Sequence, residues 1–175
     1  MNFKNNKRIS LITDFILCVL LIALDQVTKY FAIRYLKDKP AIVLAEGIFE
    51  LRYLENRGAA FGMLQNQKVF FILVSLVVLA AIAYLLFKMP QGKKYVPLHF
   101  LLVLIASGAV GNMIDRIRLE YVVDFFYFVL INFPIFNVAD IYVSVSCVVL
   151  AILMLFVYKD EDLEFASKKK NKEEM

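Results

Sequence analysis

Four long apolar runs dominate this sequence and restrict the folds that it can adopt. They cover about residues 11–36, 69–87, 96–114 and 138–158. A helix needs roughly 20 mostly apolar residues to cross the hydrocarbon core of a membrane, and each run can supply them. The runs do not alternate between polar and apolar residues, as the strands of a membrane barrel would. We therefore predict an all-α membrane protein with four transmembrane helices, forming one integral domain over residues 1–175.

The composition agrees with membrane residence and argues against metal chemistry. Hydrophobic residues make up 61% of the chain, whereas an ordinary globular domain has roughly 45–50%. Cys18 and Cys147 both lie inside apolar runs, and His99 is the one histidine. A zinc site needs about four ligands of these types, or three and a water molecule, so zinc is poorly supported. Carboxylates alone could still bind Mg²⁺.

Basic residues flank the apolar runs unevenly, which predicts the orientation in the membrane. They precede the first run, separate the second from the third, and follow the fourth, so four crossings bring these groups to one side. Both termini are then cytoplasmic, and residues 159–175 form a charged, solvated cytoplasmic tail. The net charge of +4 is explained by topology and contact with anionic lipids, not by nucleic-acid binding. The groups are Lys4, Lys7 and Arg8; Lys88, Lys93 and Lys94; and Lys159, Lys168, Lys169, Lys170 and Lys172.

Two connections lie on the extracytoplasmic side in this topology. Residues 41–44 and 48–54 have the pattern of two short strands separated by Gly47, which predicts a small β-element resting on the membrane. Residues 56–62 contain two glycines and several small residues, and we expect them to form a lid-like loop. Residues 124–136 are rich in aromatic side chains, which suits the membrane–water interface.

Polar residues inside the apolar runs are the most informative ones, because each costs roughly 2.5–3.5 kcal/mol at a helix centre. Asp25 and Lys29 are four residues apart, so they share a helix face and can form an ion pair. Asn112 and Arg116 share a face in the same way. Asp115 lies on a different face of the helix. The simplest interpretation is that it is a solvated charge where the helix leaves the membrane.

Asp124 and Asp140 are each flanked by apolar residues, and both lie at the outer ends of predicted helices. One such residue alone could be a helix cap, as Asp140 is well placed to be. Two at the same depth suggest a pair. Because two close carboxylates cannot both ionise easily, they share a proton. One can then act as a base toward water and the other as an acid toward a scissile carbonyl.

Other mechanisms remain open on the sequence alone. A Ser-Lys dyad could combine Lys29 with Ser107 or Ser144. A Ser-His-Asp triad would have to use His99, which lies near the opposite, cytoplasmic side. A small transporter or a non-catalytic lipid-binding protein could also carry buried polar residues. A transporter needs a polar path to both sides, however, and the polar residues cluster toward one.

Five short stretches, taken together and in order, resemble the lipoprotein signal peptidase family, also called signal peptidase II. The resemblance covers about residues 13–158. In the third predicted helix, Gly108 and Gly111 permit close packing against a neighbouring helix. The stretches are DQVTK at residues 25–29, NRGAAF at 56–61, GNMIDR at 111–116, VVDF at 122–125 and FNVAD at 136–140.

The resemblance implies an aspartic endopeptidase of the bacterial plasma membrane that needs no metal or organic cofactor. The family removes signal peptides from diacylglyceryl-modified prolipoproteins by cutting on the N-terminal side of the lipidated cysteine. Its catalytic aspartates fall on Asp124 and Asp140, with Asp115 as the rival for the first position. Asp124 is preferred because the family's carboxylate lies in the VVDF stretch, and Asp115 is then a structural or orienting residue. The expected partners are such substrates and membrane lipids, and we expect a monomer with its active site at the extracytoplasmic interface. Substrate-binding or supporting positions fall on Asp25, Lys29, Asn56, Gly108, Asn112, Arg116 and Asn137.

Overall fold

The structure is a computed structural model that describes residues 3–58 and 64–166. Within these ranges the chain forms four α-helices, three β-strands and two short 3₁₀ helices, the latter at Lys93–Tyr95 and Asp160–Ala166. The predicted lid-like loop lies largely outside the described residues, since residues 59–63 are not among them. The elements, in chain order, are α1 (Phe3–Leu36), β1 (Ile42–Ala45), β2 (Phe49–Asn56), α2 (Lys68–Lys88), α3 (Val96–Leu119), β3 (Val122–Phe128) and α4 (Val138–Phe156).

All four helices are long and apolar enough to cross a membrane. They correspond to the four apolar runs, so the predicted class of four membrane helices with a small β-element is confirmed. The helix α3 continues to Leu119, beyond its predicted end at about residue 114. It stops there because Glu120 adopts a left-handed backbone conformation with φ of 72°.

Helix α3 is the central element of the bundle, and α1, α2 and α4 all pack against it. Of its most apolar stretch, 44% is buried inside the protein, against 6% for α1 and α2 and 11% for α4. The outer helices instead expose large apolar side chains such as Phe15, Val77 and Leu155. A soluble monomer rarely exposes so much contiguous apolar surface. This surface therefore suits contact with lipid.

The β-element is a three-stranded antiparallel sheet with the strand order β1-β2-β3. Strand β2 is the central strand, and its register brings Leu54 opposite Asp124 and Asn56 opposite Val122. An irregularity between Leu51 and Leu54 interrupts this ladder and redirects the end of β2. The sheet thereby places Asn56 next to the C-terminal end of α3.

Strand β3 was not predicted, because its residues were interpreted only as an aromatic stretch at the membrane interface. Seven consecutive residues, Val122–Phe128, are almost all β-branched or aromatic, which is the composition typical of a strand. Phe126 also forms an isolated antiparallel bridge with Phe136, just before α4. This bridge holds the end of the β3–α4 connection beside the strand that carries Asp124.

The segment after α4 is more ordered than the solvated tail predicted from its charges. Residues Asp160–Ala166 form a 3₁₀ helix whose Leu163 and Phe165 pack against a core cluster that includes Met89. An ion pair of 2.6 Å joins Lys94 and Asp162. Apolar side chains spaced among the charges therefore fix this part of the tail to the α2–α3 connection, and residues 167–175 lie outside the described range.

Candidate active site

Asp124 and Asp140 (the dyad) come from different elements and are joined by one residue, Asn137. Asp124 lies on β3, and Asp140 lies in the first turn of α4. Asn137 caps α4: its side chain accepts from the Asp140 backbone N–H, and its own backbone N–H donates to Asp140 Oδ2 at 3.1 Å. Its Nδ2 donates to Asp124 Oδ1 at 2.6 Å. A capping box, which commonly starts a helix, thus also fixes the two carboxylates relative to each other.

The second oxygen of each dyad carboxylate accepts a hydrogen bond from another asparagine. Asn56, at the end of β2, donates through Nδ2 to Asp124 Oδ2 at 2.8 Å. Asn112, on α3, donates through Nδ2 to Asp140 Oδ1 at 2.8 Å. Three asparagine side chains therefore orient the dyad, and each was predicted as a supporting residue.

The dyad opens onto a cavity of about 480 Å³ that has one polar and one apolar wall. Arg116 belongs to the polar wall, where its Nη2 donates to the Gly58 carbonyl at 3.3 Å and its guanidinium lies 4.5 Å from the centre of the Phe71 ring. A site with few polar groups against an apolar surface is typical of ligand pockets. The polar lining residues are Asn56, Asn112, Arg116, Asp124, Asp140 and Ser144, and the apolar ones include Phe133, Pro134, Ile135, Phe136, Ile141 and Val145.

Burial dominates the electrostatics of Asp124, whose side chain is almost inaccessible to solvent. Burial, together with the nearby Asp140 carboxylate, raises the pKa of Asp124 to about 7. The hydrogen bonds from Asn56 and Asn137 oppose this shift, because they stabilise the charged form. Asp124 can therefore exchange a proton near neutral pH, as a general acid or base must.

Asp25, Lys29 and Asp115 form a buried ion cluster behind the dyad. Lys29 Nζ lies 3.0 Å from Asp25 Oδ2 and 3.0 Å from Asp115 Oδ2. The predicted ion pair between Asp25 and Lys29 is present, but the interpretation of Asp115 as a solvated charge is wrong. Asp115 is only 3% exposed and is not among the residues that line the cavity. Its position supports Asp124 over Asp115 as the carboxylate that meets a substrate.

Two glycines of α3 permit α1 and α4 to pack closely against α3 beside this cluster. A side-chain carbon added at Gly108 would lie 2.5 Å from the Ala139 carbonyl oxygen and 2.7 Å from Val143 Cγ2. At Gly111 it would collide with the Asp25 carboxylate. Both sites therefore require a residue without a side chain.

The serine-based alternatives gain no geometric support. Ser107 Oγ donates to the Val103 carbonyl at 2.7 Å, and Ser144 Oγ donates to the Asp140 carbonyl at 2.7 Å. In the part of the chain that the structure describes, Lys29 has no hydrogen bond with a serine. His99 instead lies 2.7 Å from Asp14 Oδ2, at the other end of the bundle. Within the described ranges, no cluster of three His, Cys, Asp or Glu residues is arranged to hold a metal ion.

Sequence reasoning missed one polar residue of the buried cluster, Gln26. Its Nε2 lies 3.2 Å from Asp25 Oδ2, 3.0 Å from Asp115 Oδ1 and 3.2 Å from the Gly111 carbonyl. The signal was available, because Gln26 is a polar residue next to Asp25 inside an apolar run and such residues usually face the bundle interior.

Four membrane-length helices, together with a cavity beside α3 and α4 on which two carboxylates converge, define a multi-pass membrane protein with a paired-aspartate site. Comparison with known proteins then gives the family. A family model described as "Signal peptidase (SPase) II" matches residues 17–156. The chain belongs to this signal peptidase II family, as the five sequence stretches predicted.

Curated relatives agree with this assignment over most of their length. A lipoprotein signal peptidase of Caldanaerobacter subterraneus subsp. tengcongensis is 44% identical over 142 residues, which are 81% of this chain and 94% of the relative. A lipoprotein signal peptidase of Clostridioides difficile is 43% identical over 141 residues, with 81% and 93% covered. The alternative of a small transporter or non-catalytic lipid-binding protein gains no support from these relatives.

Solved structures of bacterial membrane enzymes share the fold. One is 28% identical, has a TM-score of 0.73, and covers 93% of this chain and 94% of its own. A second, also 28% identical, has a TM-score of 0.71 and covers 83% and 94%. With four helices of membrane-spanning length, this chain is a multi-pass bacterial membrane protein.

Proposed function

We propose that this protein is an aspartic peptidase that removes the signal peptide from diacylglyceryl-modified prolipoproteins, cutting on the N-terminal side of the lipidated cysteine. The observation that carries the proposal is that Asp124 and Asp140 line one cavity and are bridged by Asn137, in a chain of the signal peptidase II family.

The dyad supplies the acid and the base for peptide hydrolysis. One carboxylate takes a proton from water, which attacks the scissile carbonyl carbon, while the other holds the proton that the carbonyl oxygen needs. The tetrahedral intermediate then breaks its C–N bond, and a dyad proton passes to the leaving amine. Burial favours this chemistry because the neutral acid form persists near pH 7 at Asp124.

Arg116 and the cavity's amide groups orient the substrate in this proposal. Arg116 lines the cavity with a guanidinium that uses one donor on Gly58, so further donors remain for a substrate carbonyl. Asn137 is fully buried and its amide is used on Asn112 and Asp124, so its role is to hold the dyad. Asn112 lines the cavity beside Asp140, and its amide has a second N–H for a peptide carbonyl. The peptide would therefore be held by donors from Arg116 and Asn112 of α3.

The apolar wall fits a substrate that stays anchored in lipid. Ile141 and Val145 of α4 line the cavity and are also partly or largely exposed on the outer surface of the bundle. A diacylglyceryl group can remain among membrane lipids beside this wall, because each buried methylene contributes about 0.8 kcal/mol to membrane binding. Recognition then needs no deep closed pocket for the lipid chains.

The positive-inside rule supports cytoplasmic termini, which would put the dyad at the extracytoplasmic interface. A prolipoprotein anchored by its signal peptide would present its cleavage site at this depth. We propose that the protein acts as a monomer on such substrates, with membrane lipids and not nucleic acid as its other partners. Neither a metal nor an organic cofactor takes part in the proposed reaction.

A cleavage assay on purified protein tests this function. We expect a diacylglyceryl-modified prolipoprotein to be cut, with the lipidated cysteine as the new N-terminus in mass spectrometry. The matched control is the same precursor without the lipid, which should remain intact. Failure to cut the modified precursor by folded protein, or a cut at another bond, would contradict the proposal.

The raised pKa of Asp124 predicts that cleavage declines as the pH rises through about 7. Below this pH the pair keeps the proton that the reaction needs, and above it that proton is lost. Asn56→Leu removes a donor that stabilises the charged carboxylate, so the alkaline decline should move to higher pH. The measurement is kcat/KM as a function of pH for both proteins.

The control for this pH shift is Lys37→Gln, which breaks the partly exposed 2.9 Å ion pair with Glu55; neither residue lines the cavity. Its profile should match the wild type. A decline in Asn56→Leu that stays in place, or moves to lower pH, would show that the profile does not report the ionisation of Asp124.

A further inference from the structure

Lys29 is almost completely buried and contacts three polar groups at once. Its Nζ lies 3.0 Å from Asp25 and 3.0 Å from Asp115, and it donates to Asn112 Oδ1 at 2.8 Å. An ammonium group has three donors, and these contacts are enough to use all of them. Lys29 is 2% exposed, so the cluster is not a solvated ion pair.

Each carboxylate of this cluster also holds one backbone N–H group that immediately precedes a dyad residue. Asp25 Oδ1 accepts from the N–H of Ala139 at 3.0 Å. Asp115 Oδ2 accepts from the N–H of Val123 at 3.1 Å. Ala139 and Val123 are the residues just before the two catalytic aspartates. The β-strand and the helix that carry the dyad are thus each tied to one end of the same ion cluster.

We propose that Lys29 is a positioning residue whose ion cluster with Asp25 and Asp115 (the clamp) sets the separation and orientation of the dyad. The inference rests on the proposed peptidase function. By joining the two carboxylates, Lys29 fixes the distance between the two backbone segments that they hold. Ion pairs of this kind are poor sources of stability, and their best-attested use is to specify one geometry.

The third contact of Lys29 sets the direction of the Asn112 amide. Asn112 Oδ1 receives hydrogen bonds from Lys29 and from Asn137 Nδ2, the latter at 3.1 Å. Because two donors meet the oxygen, the Nδ2 group must turn the other way, toward Asp140. Lys29 therefore acts on the dyad both through the backbone and through this amide.

A purely structural ion pair would hold α1 to α3 without any effect on the dyad. The chain offers a hydrogen bond between the same two helices for comparison, since Asp14 Oδ2 on α1 lies 2.7 Å from His99 Nδ1 on α3. That contact lies at the opposite end of the bundle from the dyad, and among the described residues it has no hydrogen bond to Asp124 or Asp140. Asp14→Asn is therefore a control for the loss of a partly buried carboxylate between α1 and α3.

The test compares Asp25→Asn, Asp115→Asn and the double variant with the wild type and with Asp14→Asn. Asparagine keeps an oxygen for the backbone N–H but loses the charge that pairs with Lys29. We expect each clamp variant to lose about 10²-fold in kcat, the size of effect that a misplacement of about 1 Å can have. The KM for the diacylglyceryl-modified precursor should stay nearly constant. Asp14→Asn should keep the wild-type kcat.

The double variant shows whether Asp25 and Asp115 act on the dyad together through Lys29 or affect it independently. If both carboxylates act through Lys29, the second substitution should lower kcat little further, because their effects are then not additive. Additive losses, a wild-type kcat in folded clamp variants, or an equal loss of kcat in Asp14→Asn would overturn the clamp. Absence of cleavage by the wild type would instead refute the proposed function.

Lys29→Arg keeps the test decisive if a clamp variant fails to fold. Arginine retains the charge, but its planar, wider head cannot reproduce three contacts made around one ammonium nitrogen. We expect folded Lys29→Arg to bind the precursor with an unchanged KM and to show the same loss of kcat. A folded Lys29→Arg variant with wild-type kcat would overturn the proposal.

Discussion

Asp124→Asn and Asp140→Asn should each reduce cleavage of a diacylglyceryl-modified precursor by a factor on the order of 10²–10⁴, the usual contribution of a general acid or base. An asparagine amide can neither take a proton from water nor deliver one to a leaving amine. The two losses should be similar in size, because the dyad acts as a unit. The measurement is a gel-shift assay of precursor cleavage by purified variants.

The side chains around the dyad determine which controls this prediction needs. Asp124 accepts hydrogen bonds from both Asn137 and Asn56, so an amide at this position turns its NH₂ group toward one donor. An NH₂ group cannot accept a hydrogen bond, so that donor loses its partner and some loss of thermal stability is expected. Each variant must therefore be shown to unfold cooperatively. Activity that persists in folded Asp124→Asn would move the catalytic role to another carboxylate.

Asp115→Asn distinguishes the dyad from its rival by the size of its effect. Asp115 is enclosed by Lys29, Gln26 and the Val123 N–H group, and it does not line the cavity. The Asp115→Asn variant should lose about 10²-fold in kcat, whereas Asp124→Asn should lose more, toward the upper end of the range of about 10²–10⁴-fold. The reverse order would identify Asp115 as the carboxylate that meets the substrate.

The membrane helices could be predicted because the bilayer imposes a length and an apolar composition that are read directly from the sequence. Helix α4 illustrates this well: its apolar run begins at Val138, just after the capping residue Asn137, and the helix begins there too. The C-terminal end of α3 was harder to predict from the sequence. It carries the polar residues Asn112 and Asp115, which interrupt the apolar run, although the helix continues to Leu119.

The pairing of strand β3 and the contacts of the clamp depend on tertiary structure, and so neither could be derived from local patterns. The pairing of β3 with β2 joins segments that are 68 residues apart, as in the Asn56–Asp124 hydrogen bond. The contacts of Asp25 and Asp115 with Ala139 and Val123 use backbone N–H groups, which no side-chain motif reveals. The motifs did identify the polar residues, but not which of them face the cavity.

Gly108→Ala should destabilise the protein although alanine is normally the better residue in a helix, by about 1 kcal/mol. The added carbon would lie 2.5 Å from the Ala139 carbonyl oxygen and 2.7 Å from Val143 Cγ2. One of these atoms belongs to the backbone, so α4 itself must move away from α3. Overpacking of this kind typically costs about 1–3 kcal/mol, and the midpoint of thermal unfolding in detergent should fall accordingly.

The same substitution should also reduce kcat, because the displaced carbonyl belongs to the residue before Asp140. A shift of about 1 Å at this end of α4 can lower the rate by about 10²-fold, and it would separate Asp140 from Asn112. The control is Gly92→Ala, since a side-chain carbon at Gly92 meets no atom within 4 Å and should leave both quantities unchanged. If Gly108→Ala proved as stable and active as Gly92→Ala, the contact between α3 and α4 would have to be looser than this structure has it. The position of Asp140 would then depend on the Asn137 cap and the clamp alone.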